Sequence, residues 1–220
     1  MCKIEKGRSM YILGVKTRIS PIPLRRWTES SKLSHGQELR TLVTKDGGAI
    51  VAISVAVDNS VLSDLLDARL PKNKKVDYLA FRDMIELDHQ GKIEILIPIT
   101  TTLIEHGYVS GEKQQRLRKI MGDAFRLCPV WVPEEMQSDI DRKKKCLKEI
   151  MQDRSGIDSE NLVVSTIYTP YYITTDYRYW RQFKARSREI QEKCHMNVFV
   201  LTPSEFLERY REGRLEEKER

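Results

Sequence analysis

Ala49-Ile-Val-Ala-Ile-Ser-Val-Ala-Val-Asp-Asn-Ser-Val-Leu62 is the stretch whose reading decides the fold. Ala49 to Val57 is rich in β-branched residues and free of turn formers, so it predicts a strand. Its continuous apolar character suits a strand covered on both faces, as in a parallel sheet. The run stops at Asp58, and Val61, Leu62, Leu65 and Leu66 then recur at helical spacing. A strand passing directly into an amphipathic helix is the opening of an α/β unit. An acidic residue at that junction either caps the helix or faces the crevice where parallel sheets bind ligands.

Downstream the alternation continues. Pro71 to Lys75 reads as a solvated loop, Tyr78 to Gln90 as a helix closed by Gly91, and Lys92 to Ile97 as a strand halted by Pro98. Thr100 or Thr101 then caps a helix carrying Leu103, Ile104 and Glu105. Residues 112–153 read as mostly helical, broken around Cys128 to Pro133, with Pro133 at a first helical turn. Asp158 and Ser159 start a helix, Tyr171 to Thr175 forms a short strand, and Tyr177 to Cys194 a long basic helix. Asn197 to Leu201 is a strand, and Pro203 opens a last helix to Glu212. The expected architecture is three-layer α/β/α with a mostly parallel central sheet. Upstream, Tyr11 to Val15 and Thr41 to Thr44 are short strand candidates around a Pro-interrupted, polar stretch. The expected organisation is an N-terminal appendage over 1–40, the main domain over 41–212 and a polar tail over 213–220.

At 220 residues, 40% hydrophobic and 32% charged, the chain is too apolar for disorder and long enough for one full α/β core. The net charge of +6 is carried by runs such as Arg116 to Lys119, Arg142 to Lys145 and Arg178 to Arg188. These suit a polyanion such as RNA, and equally the solvated faces of helices. Tyr171, Tyr172, Tyr177, Tyr179 and Trp180 precede the last run, in positions that suit either base stacking or core packing. Cys2, Cys128, Cys146 and Cys194 show neither CxxC pairing nor zinc spacing, so reduced thiols in a cytoplasmic protein are expected. No apolar run approaches the roughly 20 residues that span a bilayer. None of the four histidines is paired with a nucleophile in a way that supports triad chemistry.

Read at the strand ends, the carboxylates are Asp58, then Glu105 on the helix after the second strand, Asp158 at a helix start, and Asp176 after the tyrosine strand. Oxygen ligands without His or Cys suit Mg²⁺ or Mn²⁺.

In this order and placement the chain resembles the PIN-domain nucleases. Asp58-Asn-Ser-Val-Leu62 resembles that family's opening motif, Thr102-Leu-Ile-Glu105 its second, Thr174-Thr-Asp176 its T-x-D motif, and Asn197 to Phe206 its closing strand and helix. The third motif falls on Asp158, with Glu160 in reserve and Asn161 opening the apolar pattern more neatly. The resemblance covers roughly residues 50 to 210. Two features depart from it: Tyr177 and Tyr179 stand where an acidic residue often follows the T-x-D aspartate, and residues 107–157 form a longer segment. The resemblance implies a metal-dependent endoribonuclease, of toxin or RNA-processing type. Asp58, Glu105, Asp158 and Asp176 would hold Mg²⁺ or Mn²⁺, and Ser60 and Thr174 would orient a carboxylate or water. It also implies RNA as substrate, with an antitoxin or other inhibitor and a second copy of the chain as the family's usual partners. The departures keep open a catalytically weakened RNA-binding or assembly module.

Overall fold

The computed structural model describes residues 52–67, 69–129, 132 and 134–215, and the strand backbones at 10–12, 15–17, 41–43 and 49–51. Two compact units divide the chain, Met1–Glu38 and Leu39–Arg220. In the first, β1 (Met10–Ile12) and β2 (Val15–Thr17) pair antiparallel. The remainder of the expected appendage lies outside the described residues, as does Pro133.

In the second unit the run from Ala49 to Val57 is two strands rather than one. β3 (Thr41–Val43) pairs antiparallel with β4 (Ala49–Val51), Leu42 opposite Ile50. After Ala52 the chain enters β5 (Ile53–Val57), which belongs to a separate parallel sheet. A continuous β-branched run satisfies both pairings, so its composition does not mark the break.

From β5 the chain runs through α1 (Asn59–Leu66), α2 (Lys75–His89), β6 (Ile93–Ile99), α3 (Thr101–Glu105) and α4 (Gly111–Met121). It continues through β7 (Leu127–Pro129), α5 (Glu134–Met151), α6 (Ile157–Ser165) and β8 (Tyr171–Ile173). α7 (Tyr177–Cys194), β9 (Phe199–Leu201) and α8 (Pro203–Arg211) complete it. Among the described residues no helix is long and apolar enough to cross a membrane.

Five strands form one parallel sheet in the order β7-β6-β5-β8-β9. Strand periodicity sorts their side chains between two cores. Val55, Val57, Ile173 and Leu201 face one layer with α1, α2, α4 and α8; Ala56, Tyr172 and Val200 face the other with α5, α6 and α7. The expected three-layer α/β/α arrangement is present.

Pro98 does not halt β6. The Ile97 amide donates to Arg126 on the β7 side, so the next amide in a parallel ladder points to the β5 side. There the pairing has already ended at Ala56 and Leu96. Proline therefore removes a donor that the ladder does not use. β7 itself, read in sequence as a break between helices, is a three-residue edge strand.

The cysteine expectation is overturned. Cys146 on α5 and Cys194, the last residue of α7, are joined by a disulfide, with Cα atoms 5.6 Å apart. Helix packing, not sequence spacing, brings the two together. Cys128 is free. The tail also begins later than expected, because Leu215 is buried.

Candidate active site

Going outward from β5, the chain adds β6 and β7 on one side and β8 and β9 on the other. The crevice outside the carboxyl ends of β5 and β8 is therefore the topological switch point, where open α/β sheets bind ligands. Asp58 follows β5, and Thr174, Thr175 and Asp176 follow β8. The Asp58 amide donates to the Ile173 carbonyl at 2.8 Å, which locks the two strand ends together.

The Asp58 carboxylate accepts four hydrogen bonds. Oδ1 takes the Asn59 amide at 2.8 Å and the Tyr172 hydroxyl at 2.7 Å. Oδ2 takes the Ser60 hydroxyl at 2.6 Å and the Thr174 hydroxyl at 2.8 Å. The two hydroxyls are themselves aimed by the backbone after β8: Ser60 Oγ accepts from the Thr175 amide at 3.0 Å, and Thr174 Oγ1 from the Asp176 amide at 3.1 Å. Ser60 and Thr174 thus fix the Asp58 carboxylate. An ionised carboxylate has about four lone-pair sites, so Asp58 is saturated by the protein itself.

Tyr172 is the residue whose role sequence left open. It lies on the α6/α7 face of β8, 2% exposed, and its hydroxyl reaches Asp58 from within that core. Burial, and then the nearby Asp58 carboxylate, raise its phenol well above the usual value, so it remains a donor.

Asp176 caps α7, with Oδ1 accepting from the Arg178 and Tyr179 amides at 2.9 and 3.0 Å. Asp158 sits in the first turn of α6, but it is Asp153 that caps this helix. Asp153 Oδ1 takes the Gly156 amide at 2.9 Å and Oδ2 the Ser159 amide at 3.0 Å. Although burial opposes ionisation, these amides and the Ser155 and Ser159 hydroxyls lower the Asp153 carboxyl below the usual range. Asp158 is displaced the other way. Partial burial, followed by the charges of Asp58, Asp153 and Asp176, pushes it up to about 6 against the pull of Arg178. Asp58, Asp153 and Asp176 thus lie within electrostatic reach of Asp158.

Glu105 is held differently. α3 is only five residues long, and Glu105 is its exposed last residue. The Thr100 hydroxyl caps α3 through the Leu103 amide, at 3.5 Å. Glu160 pairs with Lys144 at 3.2 Å. Asn161, 6% exposed, lines a small cavity with Asp58, Asn59, Thr100, Ser165 and Tyr172. Asn59 Oδ1 is buried without a hydrogen-bond partner in the protein. Tyr171, Tyr172 and Tyr179 are buried in the cores, and only Tyr177, Trp180 and the exposed Arg178 lie partly or wholly at the surface near Asp176. His89 bonds the Met121 carbonyl at 2.9 Å, away from these groups.

The described residues contain no group of three His, Cys, Asp or Glu side chains placed to hold one ion. A smaller site would need less, because Mg²⁺ is commonly held through one or two carboxylates, keeping several waters and taking substrate phosphate. The Asp158 carboxylate and Asp176 Oδ2 make no hydrogen bond among the described residues. A cation beside Asp158 would offset the carboxylate charges that, after burial, raise it. Asp58, saturated by donors, would act through its hydroxyl partners.

No protein-family model matches the chain, and neither a curated protein nor a solved structure matches it.

Proposed function

We propose that this chain is a divalent-cation-dependent hydrolase of RNA phosphodiester bonds, related to the PIN-domain nucleases. The observation that carries the proposal is the convergence of Asp58, Thr174 and Asp176 at the switch point of the sheet, with Asp158 in their field. Asp158 and Asp176 would hold Mg²⁺ or Mn²⁺. The bound ion supplies a hydroxide near neutral pH and offsets charge on the scissile phosphate. Ser60, Thr174 and Tyr172 fix Asp58, and Arg178 at the start of α7 is placed to meet a phosphate. The net charge of +6 favours a polyanion.

The test is cleavage of single-stranded RNA with Mg²⁺ or Mn²⁺. Asp176→Asn is expected to lower the rate at least about a hundredfold, and EDTA to abolish cleavage. Cleavage that survives both Asp176→Asn and Asp158→Asn, or continues in EDTA, overturns the proposal.

The exposed position of Glu105 and the saturation of Asp58 favour a second reading, an RNA-binding or assembly module without catalysis. RNA retained by the wild-type chain but not cut in either metal selects it.

A further inference from the structure

The Cys146–Cys194 disulfide joins two residues 48 positions apart in sequence. Between them fall Asp158, Tyr172, Thr174 and Asp176, while Asp58 and Ser60 lie outside on the β5–α1 junction. The bond joins α5, which leads into the loop and helix carrying Asp158, to the far end of α7, whose first turn is capped by Asp176. The two helices pack through Ile140, Leu147 and Ile150 on α5 and Phe183 and Ile190 on α7. One covalent link therefore closes the layer that carries one half of the site.

We propose that Cys146–Cys194 is a thiol-addressable latch on the half of the site carried by α5, α6, β8 and α7. The two sulfurs are unequal: Cys194 is wholly buried and Cys146 partly exposed. An external thiolate, such as glutathione, attacks Cys146 Sγ, and the S–S bond breaks with its electron pair passing to Cys194 Sγ, which takes up a proton. A second external thiolate attacks the external sulfur of the mixed disulfide and releases Cys146. In balance, the protein disulfide gains two electrons and two protons, and two external thiols become one external disulfide. The departing Cys194 thiolate is disfavoured by burial and by the negative end of α7. The latch therefore stays closed under mild reduction and opens only under a strongly reducing thiol poise.

The test uses the full chain, purified without reductant and then equilibrated in graded glutathione buffers. Alkylation and mass mapping of the unreduced protein are expected to find Cys146 and Cys194 protected as a pair. On reduction, amide exchange across residues 153–179 is expected to rise about tenfold or more, with residues 53–66 unchanged. Cys146→Ser should match the reduced form and ignore glutathione. Either cysteine found as a free thiol in the unreduced protein overturns the latch, as does equal exchange in both forms or reduction that unfolds the whole second unit. RNA cleavage should also fall on reduction, a readout that rests on the function proposed above. If no RNA is cut in either form, exchange alone decides the latch.

Discussion

Asp158 illustrates how surroundings set the state of a carboxylate. Partial burial, and then the charges of Asp58, Asp153 and Asp176, raise its carboxyl to about 6. Between its unfolded value of 3.8 and that folded value, the native state binds more protons than the unfolded state. Stability from this group is therefore full below the lower value and is lost as pH rises through about 6. Asp158→Asn is expected to raise stability at pH 7 and to change it little at pH 4. Because Asp158 keeps more than a third of its surface open to solvent, the gain stays below about 1 kcal/mol. Urea midpoints at the two pH values check this, and an equal change at both would refute the raised carboxyl. At this scale the places of Asp58 and Thr174 were legible in sequence, because each directly follows a strand. Glu105 was not legible, since its direction depends on where a five-residue helix ends. Nor was the role of Tyr172, since alternation placed it in the core without revealing that its hydroxyl reaches a carboxylate.

Among the elements, α6 depends most on a residue outside itself. Its flanking Gly156 is left-handed, with φ of 77°, and offers no side-chain cap, so Asp153 takes that role through the Gly156 and Ser159 amides. Asp153→Ala is expected to cost about 1 kcal/mol, in the usual range for a lost cap. It should also fray the turn that carries Asp158. Chemical denaturation, with exchange at residues 157–160, reads both effects, and a loss of stability without local fraying would count against this role. Sequence placed the α6 start at Asp158 and Ser159 because Asp and Ser are good caps. The Asp-x-x-Gly turn before them was the better signal. α7 was read correctly from Tyr177 to Cys194 because its amphipathic spacing is sustained over five turns and Asp176 caps it. β6 was cut short at Pro98 because the free side of a ladder cannot be seen until the neighbouring strands are known.

At the scale of the molecule, the order β7-β6-β5-β8-β9 makes the site, because it opens a crevice beside β5 that no single element contains. Strand and helix alternation made the parallel sheet legible in sequence, while strand order depended on crossovers that sequence does not state. Both hydrophobic cores are built between Val55 and Leu215, inside the unit Leu39–Arg220. Among the described residues, the buried side chains of both cores belong to that unit. A chain comprising residues 39–220 is expected to fold alone and unfold cooperatively, with a thermal midpoint within about 5 °C of the full chain, a shift of roughly 1–2 kcal/mol for a domain of this size. Circular dichroism at 222 nm against temperature, with calorimetry to compare the two enthalpies, makes the measurement. Loss of a cooperative transition in the shorter chain would show that the first unit completes the fold of the second. Retention of it, with RNA cleavage also unchanged, would place the whole proposed site within residues 39–220.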